Sequence, residues 1–266
     1  MTHSNPAQLL SIEGADATTF AQAQFSSKVT LLPNGRWQFS AWLDAQGRVR
    51  ALFHLARLDD GHLLLLLRGG DAHHLAEELQ RYVFRSRVRL TPSTAGSLGS
   101  GTALPMQTVQ HDGDHVLFGC GNHSLSCGAG TSVDDAWRRM QLHEGWAWLP
   151  GDVGNLLPPA LSLYRLQAVA LDKGCYPGQE IVARLHYRGG HKRHLHRIAL
   201  SQAMPEGSTL HLDGGEIIQL LQTVHGERGI DALAIMSDTL AQRLADGRGI
   251  VLDEGVRMRI EASWSD

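Results

Sequence analysis

The order of apolar and polar positions divides the chain into stretches of different character. After Asp16, the residues Phe20, Ala21, Ala23, Gln24 and Phe25 recur at helical spacing, so a capped helix is expected near 15–26. Trp37 to Trp42 alternates as a strand, Asp44-Ala45-Gln46-Gly47 carries turn chemistry, and Arg48 to Arg57 reads as the returning strand. Asp60-Gly61 marks another turn, and His62 to Arg68 follows as a buried strand. Asp71 is placed to cap a helix over 72–82, where Leu75, Leu79 and Tyr82 fall on one face. Val88 to Leu90 predicts a short strand. Residues 37–90 therefore read as strand–strand–strand–helix–strand, a small α+β layer.

Residues 91–101 lose this periodicity. Pro92, Gly96 and Gly99 among serines and threonines predict a loop or linker. From 102 to 132 short apolar pieces are broken by Gly119, Gly121, Gly128 and Gly130, and no element stands out. Asp134-Asp135 open a predicted helix over 134–144, with two carboxylates at its positive end, and Gly145 ends it. Residues 151–159 read as a loop. An apolar run from Leu163 to Leu171 precedes a dense polar cluster, and Ile181 to Tyr187 alternates. From 195 onward there are only short alternating runs between glycine-containing turns: 195–200, 209–212, 216–224, 232–236 and 257–260. That is an all-β signature, expected to close into a small barrel or sandwich.

Composition narrows the class. With 266 residues and 42% hydrophobic positions the chain can bury a core, as one large domain or two to three small ones. The longest apolar run, Leu63 to Leu67, falls far short of the ~20 residues of a membrane span. Met1-Thr2-His3-Ser4 has neither the basic start nor the apolar stretch of a signal peptide, so a cytoplasmic protein is expected, with no membrane partner. The net charge of −3 argues against strong nonspecific binding of nucleic acid. Three cysteines make no disulfide framework, and Cys120 and Cys127 match no familiar metal spacing.

The chemistry concentrates in Lys173-Gly174-Cys175-Tyr176-Pro177-Gly178-Gln179-Glu180. Pro177-Gly178 is a turn signal, the proline presetting φ and the glycine taking a positive φ. A thiol two residues from a lysine on a tightly turned chain is expected to be accessible, more acidic than a free thiol and therefore reactive. The alternative is a structural turn around a buried cysteine, which behaves as a small hydrophobe.

The octapeptide, followed by Ile181-Val182-Ala183-Arg184 and Lys192-Arg193, closely resembles the signature of the YgfZ family. These are folate-binding proteins similar to the aminomethyltransferase (T-protein) of the glycine cleavage system. The resemblance runs along most of the chain. Ile12-Glu13-Gly14-Ala15-Asp16-Ala17 with Phe20 and Gln24 looks like the family's opening helix, and Leu43-Asp44-Ala45-Gln46-Gly47-Arg48-Val49 like its Asp-x-x-Gly hairpin. Trp137 with Gly145 and Pro150 resembles its tryptophan–glycine segment. The resemblance implies an α+β fold of two interleaved layers plus a C-terminal β-barrel, ring-like around a folate-sized central cavity. The first layer would come from 1–46 and 128–194, the second from 47–127, and the barrel from 195–266. It also allows a short helix where 181–187 alternates.

The resemblance implies tetrahydrofolate as cofactor and Cys175 as the key residue, with Lys173 beside it. Trp137 and Tyr176 are candidates to stack on the flat pterin. Glu180 can meet the paired N–H donors of that ring and Gln179 its acceptors, although a glutamate at a helix start is also favoured by the dipole alone. Arg184, Arg188, Lys192, Arg193 and Arg197 lie in a run without acidic residues between Glu180 and Glu206. Such a rim suits the carboxylates of a folate tail, an RNA or an acidic protein, or is simply a solvated face. A metal on His191, His194 and His196 would lack a nearby cysteine or carboxylate in that run. One departure is the absence of the family's second folate-contacting tryptophan; Pro6-Ala7-Gln8-Leu9 stands there instead. The implied role is support of the assembly or repair of iron–sulfur enzymes, including those that methylthiolate tRNA, with those proteins or their assembly factors as partners and a monomer as the expected state. Two other classes remain open: a true aminomethyltransferase, and a non-catalytic scaffold for protein or tRNA.

Overall fold

The structure is a computed structural model and describes residues 6–128, 131, 134–151, 155–226, 229–245 and 248–264. The N-terminal residues and part of the expected loop at 151–159 lie outside the described residues. Contacts divide the chain into two compact units, Met1–Trp137 with Leu166–Gln179, and Arg138–Arg165 with Glu180–Asp266.

The first unit opens with β1 (Pro6–Glu13) and α1 (Ala17–Gln24). A single 3-10 turn at Val29–Leu31 leads to β2 (Arg36–Leu43), β3 (Val49–Asp59), β4 (His62–Leu67), α2 (Ala72–Gln80) and β5 (Arg89–Ser97). These strands form one antiparallel sheet in the order β2-β3-β4-β1-β5. The Asp44 side chain builds the β2–β3 turn, accepting from the backbone N–H of Gln46 and of Arg48, each at 2.9 Å. Asp71 caps α2 by accepting from His74 N at 2.9 Å, as its position predicts.

Both faces of this sheet are covered, which explains the unbroken leucine run of β4. Leu63, Leu65 and Leu67 join Phe53, Leu55 and the α1 and α2 residues Phe20, Leu75 and Leu79 in one core. Leu64 and Leu66 point the other way and are also buried. On that side a second sheet is formed by β6 (Gly99–Gly101), β7 (Val109–Asp112), β8 (His115–Gly119) and β9 (Ser124–Cys127), in the order β6-β9-β8-β7. Trp37 of β2 donates its indole N–H to the Gly119 carbonyl at 2.9 Å, and His54 of β3 lies 5.7 Å from the Phe118 ring. Each fully buried leucine contributes roughly 1.5–3 kcal/mol.

The expected linker at 91–101 is a strand. β5 pairs with β1 along its length, with Pro92 opposite Leu10, and forms the edge of the sheet, where a proline costs no ladder hydrogen bond on its open side. Small polar residues hid it because an edge strand needs little apolar pattern. The stretch without sequence signal, 102–132, supplies most of the second sheet.

The second unit contains most of α3 (Ala136–His143), a 3-10 turn at Pro158–Leu161 and most of α4 (Gln179–Arg188). The alternation at 181–187 is therefore helical. The mostly β C-terminal part then follows as the sequence predicts: β10 (Arg193–Leu200), β11 (Thr209–Leu212), β12 (Glu216–Gly226), β13 (Gly229–Ser237), β14 (Ile250–Val251) and β15 (Arg257–Trp264). A short helix the pattern did not reveal, α5 (Asp238–Arg243), is capped by Ser237, whose Oγ accepts from Leu240 N at 3.1 Å. The six strands run β11-β12-β13-β10-β15-β14, with bulges in β12 and at the β10–β15 pairing that bend the sheet. Its two edges nearly meet: Asp253 N, in the β14–β15 turn, donates to the His211 carbonyl of β11 at 3.0 Å. Ile198, Leu210, Ile218, Leu220, Ala234 and Met258 fill the barrel-like interior.

Candidate functional site

In the first unit the octapeptide is laid against the opening of the chain. Ala170 N donates to the Ser26 carbonyl at 2.8 Å, and the Ser26 hydroxyl donates to the Ala168 carbonyl at 2.7 Å. The apolar run before the octapeptide, with Leu163 and Ala168 buried, thus ends by docking onto the residues after α1. Lys28 and Asp172 add an exposed ion pair at 2.5 Å.

The turn forms as its residues dictate. Gln179 N donates to the Tyr176 carbonyl at 3.2 Å across Pro177-Gly178. Gly178 has φ +78°, and a Cβ there would meet the Asp44 carbonyl oxygen at 2.5 Å and the Gly47 Cα at 2.7 Å. No residue but glycine satisfies both the backbone angle and that contact. The structure so brings the two sequence motifs together: the Asp44–Gly47 hairpin turn is the surface on which Pro177-Gly178 rests.

Lys173 is a structural cation as much as a neighbour of the thiol. Its ammonium donates to the carbonyls of Phe25 at 2.5 Å and Ser27 at 2.9 Å and lies 4.9 Å from the Tyr176 ring centroid. Partial burial lowers its pKa to about 8, and it remains mostly charged at neutral pH. Tyr176 is buried and its hydroxyl donates to the Ala170 carbonyl at 3.0 Å; burial raises that phenol to about 12. Gln179 donates its side-chain N–H to the Lys173 carbonyl at 3.1 Å. Three of the candidate residues thus hold the loop from inside, and Cys175 stands exposed on it. Cys120 and Cys127 are free thiols as well, and both are buried.

Trp137 lies in the first turn of α3 and is wholly buried. Its backbone N–H donates to the Ser100 hydroxyl at 3.0 Å, and Ser100 in turn donates to Asp134 at 2.7 Å. The ring is a core element of this structure, and a stacked ligand reaches it only if its covering side chains move. The serine–aspartate clasp, the Phe25 and Ser27 carbonyls and the hairpin contact are participants the sequence reading did not find. They are joined to the site over more than 30 residues of intervening chain, and no local pattern announces them.

In the second unit Glu180 and Arg184 are exposed on α4, four residues apart and so on the same face of the helix. Arg188 and Lys192 are exposed too, and Arg193 and Arg197 are half-buried on β10. The histidines of the run go elsewhere: His194 pairs with Asp238 at 2.5 Å, and buried His196 bonds through Nδ1 to the Ser263 hydroxyl at 2.8 Å. Among the described residues no three histidine, cysteine or carboxylate side chains converge as a metal site.

No family model matches the sequence. An uncharacterised protein of Haemophilus influenzae is 28% identical over 70% of this chain and 68% of its own length. The tRNA-modifying protein YgfZ of Sodalis glossinidius is 26% identical over 78% of this chain and 74% of its own. The protein of the same name from Yersinia pseudotuberculosis is 24% identical over 96% of this chain and 86% of its own. Among solved structures, the glycine cleavage system aminomethyltransferase T of Bartonella henselae superposes with a TM-score of 0.69 over 98% of this chain and 86% of that one. At 14% identity that likeness establishes the fold. Along most of its length the chain is thus similar to proteins named YgfZ, and it shares the fold of the aminomethyltransferase.

Proposed function

We propose that this protein binds tetrahydrofolate and supports the assembly or repair of iron–sulfur enzymes, including those that methylthiolate tRNA, with Cys175 as its working residue. The observation that carries the reading is the exposure of Cys175 on a loop whose other polar side chains are tied down, while the remaining thiols are buried. A sulfur that reacts, or that holds iron or sulfide in transit, must be reachable. The name of the curated relatives, tRNA-modifying protein, supports the direction of the activity. The aminomethyltransferase fold supports the folate ligand that the signature implies.

The residues fit that ligand selectively. Glu180 offers two exposed carboxylate oxygens to the paired donors of a pterin, and Arg184 an exposed guanidinium to a tail carboxylate. Lys173, Tyr176 and Gln179 hold the thiol-bearing turn, and Trp137 is part of the scaffold. Tetrahydrofolate titrations followed by tryptophan fluorescence test this. Glu180→Gln should weaken binding about tenfold or more, since a hydrogen bond to a charged group is worth about 1.5–3 kcal/mol. Absence of quenching, or equal affinity in the variant, removes the ligand half of the reading.

The fold neighbour supports one other reading, a folate-dependent aminomethyltransferase. Glycine-cleavage turnover with the partner proteins present would decide for it.

A further inference from the structure

In the second unit, outward positions of β13, β10 and β15 meet the last turns of α3 at a cleft of about 350 Å³. Asp231, Ala199 and Arg259 lie side by side across the three strands. Arg197 and Glu261 sit two residues along from Ala199 and Arg259 on the same outer face, opposite to the side on which Ile198, Ala232 and Met258 fill the barrel. Arg139 and His143, four apart on α3, line the facing wall.

The charges in this cleft are unequally committed. Arg259 is taken by Glu261, through Nε at 2.8 Å and Nη2 at 2.6 Å. Arg197 donates from Nη1 to His143 Nδ1. A guanidinium has no acceptor, so Nδ1 of that histidine carries no proton, and its Nε2–H faces Asp231 at 3.5 Å. The Nε of Arg197 is buried, and no hydrogen-bond partner is found for it among the described residues. Arg139 is exposed, and no ion pair or hydrogen bond is found for it among the described residues. Both carboxylates therefore have local partners, while two guanidiniums, one from the helix and one from the strand, keep donors free.

We propose that this cleft binds a small phosphate monoester, with the phosphate held between Arg139 and Arg197. A carboxylate is satisfied by a single guanidinium fork, whereas two forks arriving from different walls suit a group with three acceptor oxygens and close to two charges. The cavity lies at the lower end of small-molecule sites, which run from roughly 300 to 1,000 Å³, and is too small for a groove that tracks a polynucleotide. A free nucleotide and the phosphorylated end of an RNA strand present this same chemistry.

Calorimetric titration of the full chain with AMP, adenosine, and a short oligoribonucleotide with and without its 5′-phosphate tests the site and separates the sources. AMP should bind with Kd below about 1 mM, and adenosine at least tenfold more weakly. Arg139→Gln and Arg197→Lys should each weaken AMP at least tenfold; the first residue is exposed, so its variant should keep the wild-type melting temperature. If the 5′-phosphorylated strand binds, its 5′-hydroxyl counterpart does not, and Arg139→Gln abolishes the difference, the source is an RNA end. Equal binding of AMP and adenosine, affinity unchanged in both variants, or no binding of AMP or of the phosphorylated strand would overturn the proposal. The folate titrations of Glu180→Gln have no bearing on these outcomes.

Discussion

The four-stranded sheet and the loop at 172–178 each carry cysteine, and they treat it in opposite ways. In the sheet, the Cys127 thiol donates to the Val116 carbonyl at 3.6 Å, and just past the end of β8 the Cys120 thiol donates to the Phe118 carbonyl at 3.3 Å. Burial pushes Cys127 up to about 12, so it serves as a small apolar side chain with a weak donor. In the loop, the polar groups around Cys175 face inward to backbone carbonyls and the sulfur faces out. The difference lies in tertiary contacts, since a lysine two residues from a thiol can spend its charge elsewhere, as Lys173 does on Phe25 and Ser27.

The largest effect should come from Cys175→Ser. It should abolish rescue of a strain lacking its own copy while leaving the fold and folate affinity nearly unchanged; full rescue would make the two thiol environments functionally equivalent. Next comes alkylation of the native protein by iodoacetamide. Cys175 should react first, and Cys120 and Cys127 at least about a thousandfold more slowly, because they become reachable only when the sheet opens, at a cost of several kcal/mol. Labelling in any other order ends the comparison. The barrel offers a third test of what burial does to a titrating group. Burial lowers His196 to about 4 from 6.5, so it must charge on unfolding. The unfolded chain binds the extra proton between those values, so the stability it confers is complete above about pH 6.5 and is lost as pH falls toward 4, up to about 3 kcal/mol. Denaturant unfolding at several pH values should show that slope, and His196→Gln should flatten it. The smallest effect sharpens the second. Asp71→Ala removes the α2 cap and should cost about 1 kcal/mol. Labelling of Cys120 and Cys127 should then rise roughly fivefold while Cys175 keeps its rate; an equal rise at all three would mean that Cys175 also waits for unfolding.

Much of the first unit was legible because its elements obey local rules. Strands β2 to β4, the Asp44 turn and the Asp71-capped helix each carry their own signal within about ten residues. β5 was not legible, since its strand conformation comes from pairing with β1 some eighty residues away, and α4 was ambiguous because a ten-residue helix can alternate by chance. The same divide runs through the site. Pro177-Gly178 announced its turn, while Gly178 gives no hint in sequence that it must clear the Asp44 carbonyl. The burial of Trp137 was equally invisible, since an aromatic residue at a helix start serves a core as well as a ligand.

The placement of β1 between β4 and β5 bears on the order in which the protein is made. This strand is made before both of its neighbours, β4 following about fifty residues later and β5 about eighty, so an apolar strand waits to be flanked on both sides. Its sheet can then close, but the acceptors for Lys173 at Phe25 and Ser27 stay open until about seventy more residues have been translated, most of them belonging to the second sheet and the other unit. The thiol-bearing loop is thus the last part laid onto the first unit. A chain truncated or stalled before residue 173 can assemble most of that unit's core and still lack the residue on which its activity is proposed to depend.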